Sequence, residues 1–213
     1  MMKIVKNLKS KAEKNKIDKE NKIIDSAYKL FMEKGINNTS IQDIVNEAGV
    51  AKGTFYLYFK DKYKLQETLI IRKSYKLFHN ALDNLNPDII KNFDDQIIFV
   101  IDYVIDELAK TPDLLKIIYK DLALGFYKNG FSSILDDDQL GIYEIFKKGI
   151  EENKLEIERP DITLCMIIEL VGSTCFSSII NNKPLPIDEY KPYLYKTIRL
   201  ILNEKNWFKI SFF

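Results

Sequence analysis

Residues 50–65 read VAKGTFYLYFKDKYKL, and the residue types gathered there suit recognition rather than bond-making. Lys52 and Lys62 bring ammonium groups, Tyr56 and Tyr58 phenolic hydroxyls, and Thr54 a short hydroxyl, all donors that a phosphate oxygen accepts. Gly53 permits close approach to the backbone, and Leu57 offers the kind of apolar contact that a thymine methyl takes. On a helix of about 3.6 residues per turn, Phe55 and Phe59 share one face and Gly53, Thr54 and Leu57 lie opposite. Tyr56 and Tyr58 fall about 80° to either side of the phenyl face. The spacing predicts two rings in a core, two tyrosine hydroxyls at the walls of a major groove, and a slim outer edge toward the bases. Residues 1–64 contain no arginine, so a bidentate arginine–guanine contact is excluded there. Sequence readout is then left to Lys52, apolar contacts and duplex shape.

Catalysis finds no comparable constellation. His79 is the sole histidine, no nucleophile and base occur at a recognisable spacing, and no glycine-rich phosphate loop follows a strand pattern. Asp136, Asp137 and Asp138 lack the spacing and glycine of a calcium loop and read as the cap of a helix. The chain is therefore expected to be no enzyme and to hold no metal and no cofactor. Cys165 and Cys175 would sit about 15 Å apart on one helix, too far for a bridge, which suits a reducing compartment. No apolar signal segment follows the lysine-rich start. The apolar run at 162–180 carries Glu169 and several hydroxyl residues, which argues for a buried helix rather than a membrane span. A cytoplasmic protein without a membrane partner is expected.

Charge and periodicity locate the elements that must hold the recognition stretch. Residues 1–64 carry fourteen lysines against eight acids, whereas residues 65–213 carry eighteen basic residues against twenty-three acids. A basic head on an acidic body fits a polyanion that meets the head alone. Within the head, Ile23, Ile24, Ala27, Tyr28 and Phe31 predict a helix over 19–34, stopped by Gly35. Ser40 and Asp43 form a capping pattern before a short helix at 41–48, ended by Gly49. A third helix follows from about Ala51, which makes a helix-turn-helix pattern. Residues 1–18 read as a basic flexible arm, 19–64 as the DNA-binding domain and 65–213 as a helical body. Helices are expected there at 62–82, 93–110, 113–128, 136–153, 160–180 and 187–205.

The string TSIQDIVNEAGVAKGTFYLYFKDKYKL resembles the DNA-binding head of the tetracycline-repressor (TetR) family of bacterial regulators, with the likeness running from about Glu20 to Leu69. The resemblance implies an all-α homodimer, with a three-helix head and a C-terminal body that binds an effector and dimerises. It adds Thr39, Ser40 and Gln42 near phosphates and places Lys52, Gly53, Thr54, Tyr56 and Tyr58 on the recognition helix, with Lys62 opening the fourth. Two positions depart from the family pattern. Ala51 stands where a capping serine is common, and Leu57 where a histidine is common.

The same resemblance places the effector among the middle helices, with Phe99, Tyr103, Tyr119, Phe126, Tyr127 and Phe146 as candidate walls. Glu169 shares a face with Ile162, Cys165, Met166 and Gly172, and its carboxylate needs a partner, a cationic effector among the candidates. Gly172 and Ser173 would admit a second helix closely, and Leu194, Ile198, Ile201 and Leu202 form a seam for the dimer. The expected function is a repressor on a pseudo-palindromic operator, released by a small apolar or cationic effector. The alternative is a DNA-binding dimer controlled by a protein partner or by no ligand.

Overall fold

Helix α1 spans Lys11–Lys34 and begins eight residues before its expected start. The early turns are rich in Lys and Glu, good helix formers, and Glu13 to Lys16 are exposed, so no apolar period marks them. The computed structural model describes residues 11–118 and 142–203, which form nine helices and no strand. Tyr119, Phe126, Tyr127, the Asp136–Asp138 run, residues 1–10 of the arm and the apolar tail at 207–213 lie outside the described residues. The chain forms two compact units, Met1–Leu69 and Ile70–Phe213.

In the first unit, α1 stops where Gly35 turns left-handed at φ +77°, its N–H bonded to the Phe31 carbonyl at 3.0 Å. Helix α2, Ile41–Ala48, opens with a complete capping box. The Ser40 hydroxyl accepts the Asp43 N–H at 3.1 Å, and the Ser40 N–H donates to the Asp43 carboxylate at 2.9 Å. Gly49, at φ +64°, ends α2 and makes the turn into α3, Lys52–Tyr56. Ala51 begins α3 without a side-chain cap. Helix α2 packs on α1 and α3 on α2, burying Ile23, Ala27, Phe31, Ile44, Val45, Phe55 and Phe59. Two ion pairs tie α2 to α1: Lys29 to Glu47 at 2.7 Å and Lys34 to Asp43 at 2.9 Å.

The Lys34 ammonium beside Asp43, reinforced by the Ser40 N–H, lowers that carboxyl to about 2. Because the folded value lies below the unfolded one near 4, its stabilisation is present above about pH 4 and lost as pH falls through about 2. Wild type should therefore melt above Asp43→Asn at pH 5, and the gap should close progressively by pH 2 in paired thermal melts. A gap that persists at pH 2 would show that the charge plays no part in the cap.

Helix α4, Lys62–Asn84, is capped by the Asp61 carboxylate, which accepts the N–H groups of Tyr63 at 2.9 Å and Lys64 at 2.8 Å. Its residues through Leu69 belong to the first unit and the remainder to the second. The second unit continues with α5 (Phe93–Lys110), α6 (Pro112–Ile118), α7 (Ile142–Glu152), α8 (Pro160–Asn181) and α9 (Ile187–Leu202). Helix α5 keeps its expected bounds, and Pro112 opens α6 at a position where a missing N–H costs nothing. Helix α8 is long and apolar enough to cross a membrane by length and composition; here Leu164, Ile167 and Cys175 are buried in the core.

That core joins α5, α7, α8 and α9 and includes Leu194, Ile198 and Leu202, each 2% exposed or less. Leu194, Ile198 and Leu202 fill the interior of their own chain, which corrects their expected place in a dimer seam, while Ile201 packs beside them and stays partly exposed. Periodic leucines and isoleucines report that a face is buried without reporting what covers it. The opposite side of α9 leaves Tyr193 and Leu200 exposed, and α8 exposes Ile162, Met166 and Ser173.

A polar seam fastens α9 antiparallel to α5. Lys191 reaches Asp102 at 2.6 Å and also Asp106, the Tyr195 hydroxyl donates to Asp102, and Arg199 spans Asp94 and Asp95. Burial works against the Asp102 charge, but the hydrogen bonds from Lys191 and Tyr195 outweigh it and hold the carboxyl below its usual value.

Candidate functional site

Phe55 and Phe59 anchor the recognition stretch, with ring centroids 5.8 Å apart and both rings buried. The Phe59 N–H bonds to the Phe55 carbonyl at 3.0 Å, so the helical turn continues past Tyr56 and keeps the two rings on one side. Tyr56 stands edge-on to Phe55 at 5.4 Å and remains half exposed, while Leu57 is 78% exposed. Lys52 and Gly53 are exposed; Thr54 and Tyr58 are half-buried. The stretch thus leaves Lys52, the bare backbone of Gly53, the Tyr56 ring and Leu57 open to the outside.

At the start of α2, Ser40 and Gln42 are exposed. The Ser40 hydroxyl accepts within its cap and keeps its proton for an outside acceptor. The Gln42 amide donates to Asn46 Oδ1 at 2.9 Å and retains its carbonyl and a second N–H. Thr39 differs from its expected role. It is 1% exposed, and its hydroxyl donates to the Gly35 carbonyl at 2.8 Å, inside the turn. A buried, bonded hydroxyl has nothing left for a phosphate, so Thr39 is corrected to a lock of the α1–α2 turn.

Lys62 also departs from expectation. Its Nζ donates to the carbonyls of Ile36 at 2.7 Å, Thr39 at 3.0 Å and Asn37 at 3.4 Å. Lys60, two residues earlier, is exposed and makes no ion pair among the described residues. Lys62 opens α4, where the macrodipole disfavours a cation, and Lys60 does not.

The second unit holds a cavity of about 200 Å³ bounded by α4 to α8. Leu77 and Phe78 of α4, Val100, Ile101 and Val104 of α5, Phe146 of α7, and Ile168 and Val171 of α8 lie on its wall. None of the described lining side chains is charged. Burial pushes the Cys175 thiol up to about 12, so it stays neutral. Polar atoms enter through Gln96 and through Ser74, whose Oγ is buried with no hydrogen-bond partner among the described residues.

Of the expected wall residues, Phe146 lines this cavity. Phe99 and Tyr103 do not, because the lining stripe of α5 runs through Ile97, Val100, Ile101, Val104 and Leu108 on another side of the helix. Glu169 does not line it either; it is half-buried on the α8 strip that carries exposed Ile162, Met166 and Ser173. Gly172, expected at a dimer contact, also lies on the cavity wall.

No group of three or more His, Cys, Asp or Glu side chains able to hold a metal occurs among the described residues. The family model for bacterial regulatory proteins of the tetR family matches residues 23–69. The uncharacterized HTH-type transcriptional regulator YvdT of Bacillus subtilis (strain 168) is 30% identical over 161 residues, covering 73% of this chain and 80% of that protein. Among solved structures, a TetR transcriptional regulator from Rhodococcus sp. RHA1 superposes with a TM-score of 0.64 at 17% identity, over 88% of this chain and 97% of that one. Thermus thermophilus FadR, a TetR family transcriptional repressor in complex with lauroyl-CoA, gives 0.61 at 18% identity, over 86% and 93%. These relatives are regulators and not enzymes. The relationship to YvdT spans head and body together, and the matched head carries the exposed edge built on Phe55 and Phe59: the chain belongs to the tetR family of bacterial regulatory proteins and is a DNA-binding transcriptional regulator.

Proposed function

We propose that the protein is a cytoplasmic repressor that binds a pseudo-palindromic operator as a homodimer and releases it when an uncharged, largely apolar effector enters the body. The carrying observation is the cavity of about 200 Å³ whose described wall holds no charged side chain. An apolar wall gains from burying hydrocarbon and offers a buried cation no partner among the described residues, which favours the apolar effector. Thermus thermophilus FadR, which shares the fold, was solved with lauroyl-CoA. A fatty acyl chain is accordingly the first occupant to try, with Ser74 Oγ available to a carbonyl or hydroxyl on it.

Dimerisation is proposed on the outer faces of α8 and α9. Ile162, Met166, Tyr193 and Leu200 leave apolar surface there, and Ser173 keeps the centre of the α8 strip small. Two recognition helices would then enter major grooves about 34 Å, or a multiple of it, apart. An effector that prefers a body conformation in which that spacing is lost would shift the population off DNA. Helix α4 belongs in part to each unit and is the covalent route for such a change.

The test uses a duplex selected by the wild-type protein from random sequence, titrated in the presence of C8 to C18 acyl-CoAs and free fatty acids. At least one should release DNA from wild type. Val171→Trp, which fills the cavity, should bind DNA as before and lose the response by at least about tenfold in effector concentration. Sedimentation in the same buffer should give the mass of two chains. If Val171→Trp responds like wild type, the effector does not use this cavity. If no apolar compound acts on wild type, control by a protein partner becomes the better reading.

A further inference from the structure

We infer that Lys62 is a positioning residue that locks the α1–α2 turn to the first turn of α4, and that it makes no phosphate contact on the operator. An ammonium has three protons, and three carbonyls converge on this one, from Ile36, Asn37 and Thr39. The neighbouring carbonyls of the same turn are closed by other side chains. Asn38 donates to the Lys34 carbonyl at 2.9 Å, and Thr39 to the Gly35 carbonyl at 2.8 Å. Lys62 therefore completes the set that runs from the end of α1 to the cap of α2, adding a donor to the Asn37 and Thr39 carbonyls and a second one to Ile36, which already accepts the Thr39 N–H at 3.2 Å.

Electrostatics agree with the geometry. Lys62 is the first residue of α4, where the helix dipole repels a cation. The carbonyls that follow α1 supply the compensating negative potential, since they extend its C-terminal end. To reach a phosphate, the ammonium would have to give up all three carbonyls, of which Ile36 keeps the Thr39 N–H as a donor. The consequence reaches the DNA surface through the chain: the caged turn ends at Thr39, the next residue is the α2 N-cap Ser40, and α3 packs on α2.

The two roles separate by experiment with the full-length protein and the selected duplex. A lost phosphate contact flattens the slope of log affinity against log salt by about 0.9 for each contact, and arginine, which binds phosphate well, restores it. A lost cage lowers affinity by reducing the fraction of binding-competent heads, leaves the slope unchanged, and is not restored by arginine. The planar guanidinium spreads its N–H groups over three nitrogens and cannot aim them at one convergent set of carbonyls. Lys52→Ala and Lys60→Ala serve as slope references.

For Lys62→Met we expect affinity to fall by at least about tenfold with the wild-type slope, and faster amide exchange at residues 35–40. Lys62→Arg should show the same loss. Should Lys62→Met fail to fold, Lys62→Arg decides alone: reduced affinity, wild-type slope and faster exchange in the turn support the cage. Wild-type affinity in Lys62→Arg, or a flattened slope in Lys62→Met, overturns it.

Discussion

Phe55→Ala should unfold the head while the body stays folded, with operator binding lost. The ring is 0% exposed and is the largest fully buried side chain of the first unit, so its truncation should cost about 3–5 kcal/mol. A unit this small has about that much stability to lose. The same ring supports Tyr56 edge-on and Phe59 at 5.8 Å, so both the exposed Tyr56 ring and the second anchor lose their backing. Amide exchange resolved by peptide is the measurement: protection should collapse across residues 20–69 and persist in α8 and α9. Leu57→Ala, at the exposed outer edge, is the control and should change stability by no more than about 0.5 kcal/mol. Equal losses in the two variants would mean that the phenyl pair is not the anchor of α3.

Gly149→Ala should destabilise the body although it improves helix propensity. In an exposed helix interior the exchange would gain about 1 kcal/mol. At this site a methyl would lie 1.9 Å from Cε2 of Phe93 and 2.6 Å from Cδ2 and Cζ. Phe93 is itself buried and tilted against Phe146 at 5.9 Å, so the ring has no free retreat except toward the cavity it lines. Overpacking of this kind costs about 1–3 kcal/mol, which exceeds the propensity gain. Urea denaturation should show a lower midpoint with an unchanged slope, and any effector that uses the cavity should bind more weakly. A raised midpoint would show that the ring moves aside without cost.

Sequence pattern and structure agree where one face of a helix is apolar and its ends are chemically marked. Helix α2 is bounded by Ser40 and Gly49, α5 by its apolar stripe and the Thr111–Pro112 stop, and the Phe55–Phe59 pair points inward as its spacing requires. Polar helix is invisible to that pattern, which is why α1 starts at Lys11 and not at 19. Partners are invisible too. Leu194 and Ile198 announce burial, and only coordinates show that their own chain buries them. Lys62 and Thr39 have the types and positions of phosphate donors, yet their acceptors are carbonyls up to 26 residues away in sequence. Distant acceptors leave no local trace. The cavity wall was equally hidden, because Phe99 and Phe146 look alike in a helical period and only packing separates them.

The charges between α5 and α9 act on alignment more than on depth of folding. Lys191 and Arg199 are spaced along α9 to meet Asp102 with Asp106 and Asp94 with Asp95 along the opposing helix. Part-buried pairs of this kind lose much of their Coulomb gain to desolvation. Sliding α9 by one helical turn changes what Arg199 meets: Lys91 in one direction, Ile98 in the other. Greasy side chains would tolerate either offset, whereas the guanidinium tolerates neither, so a collapsing chain is steered to a single way of laying its last helix down.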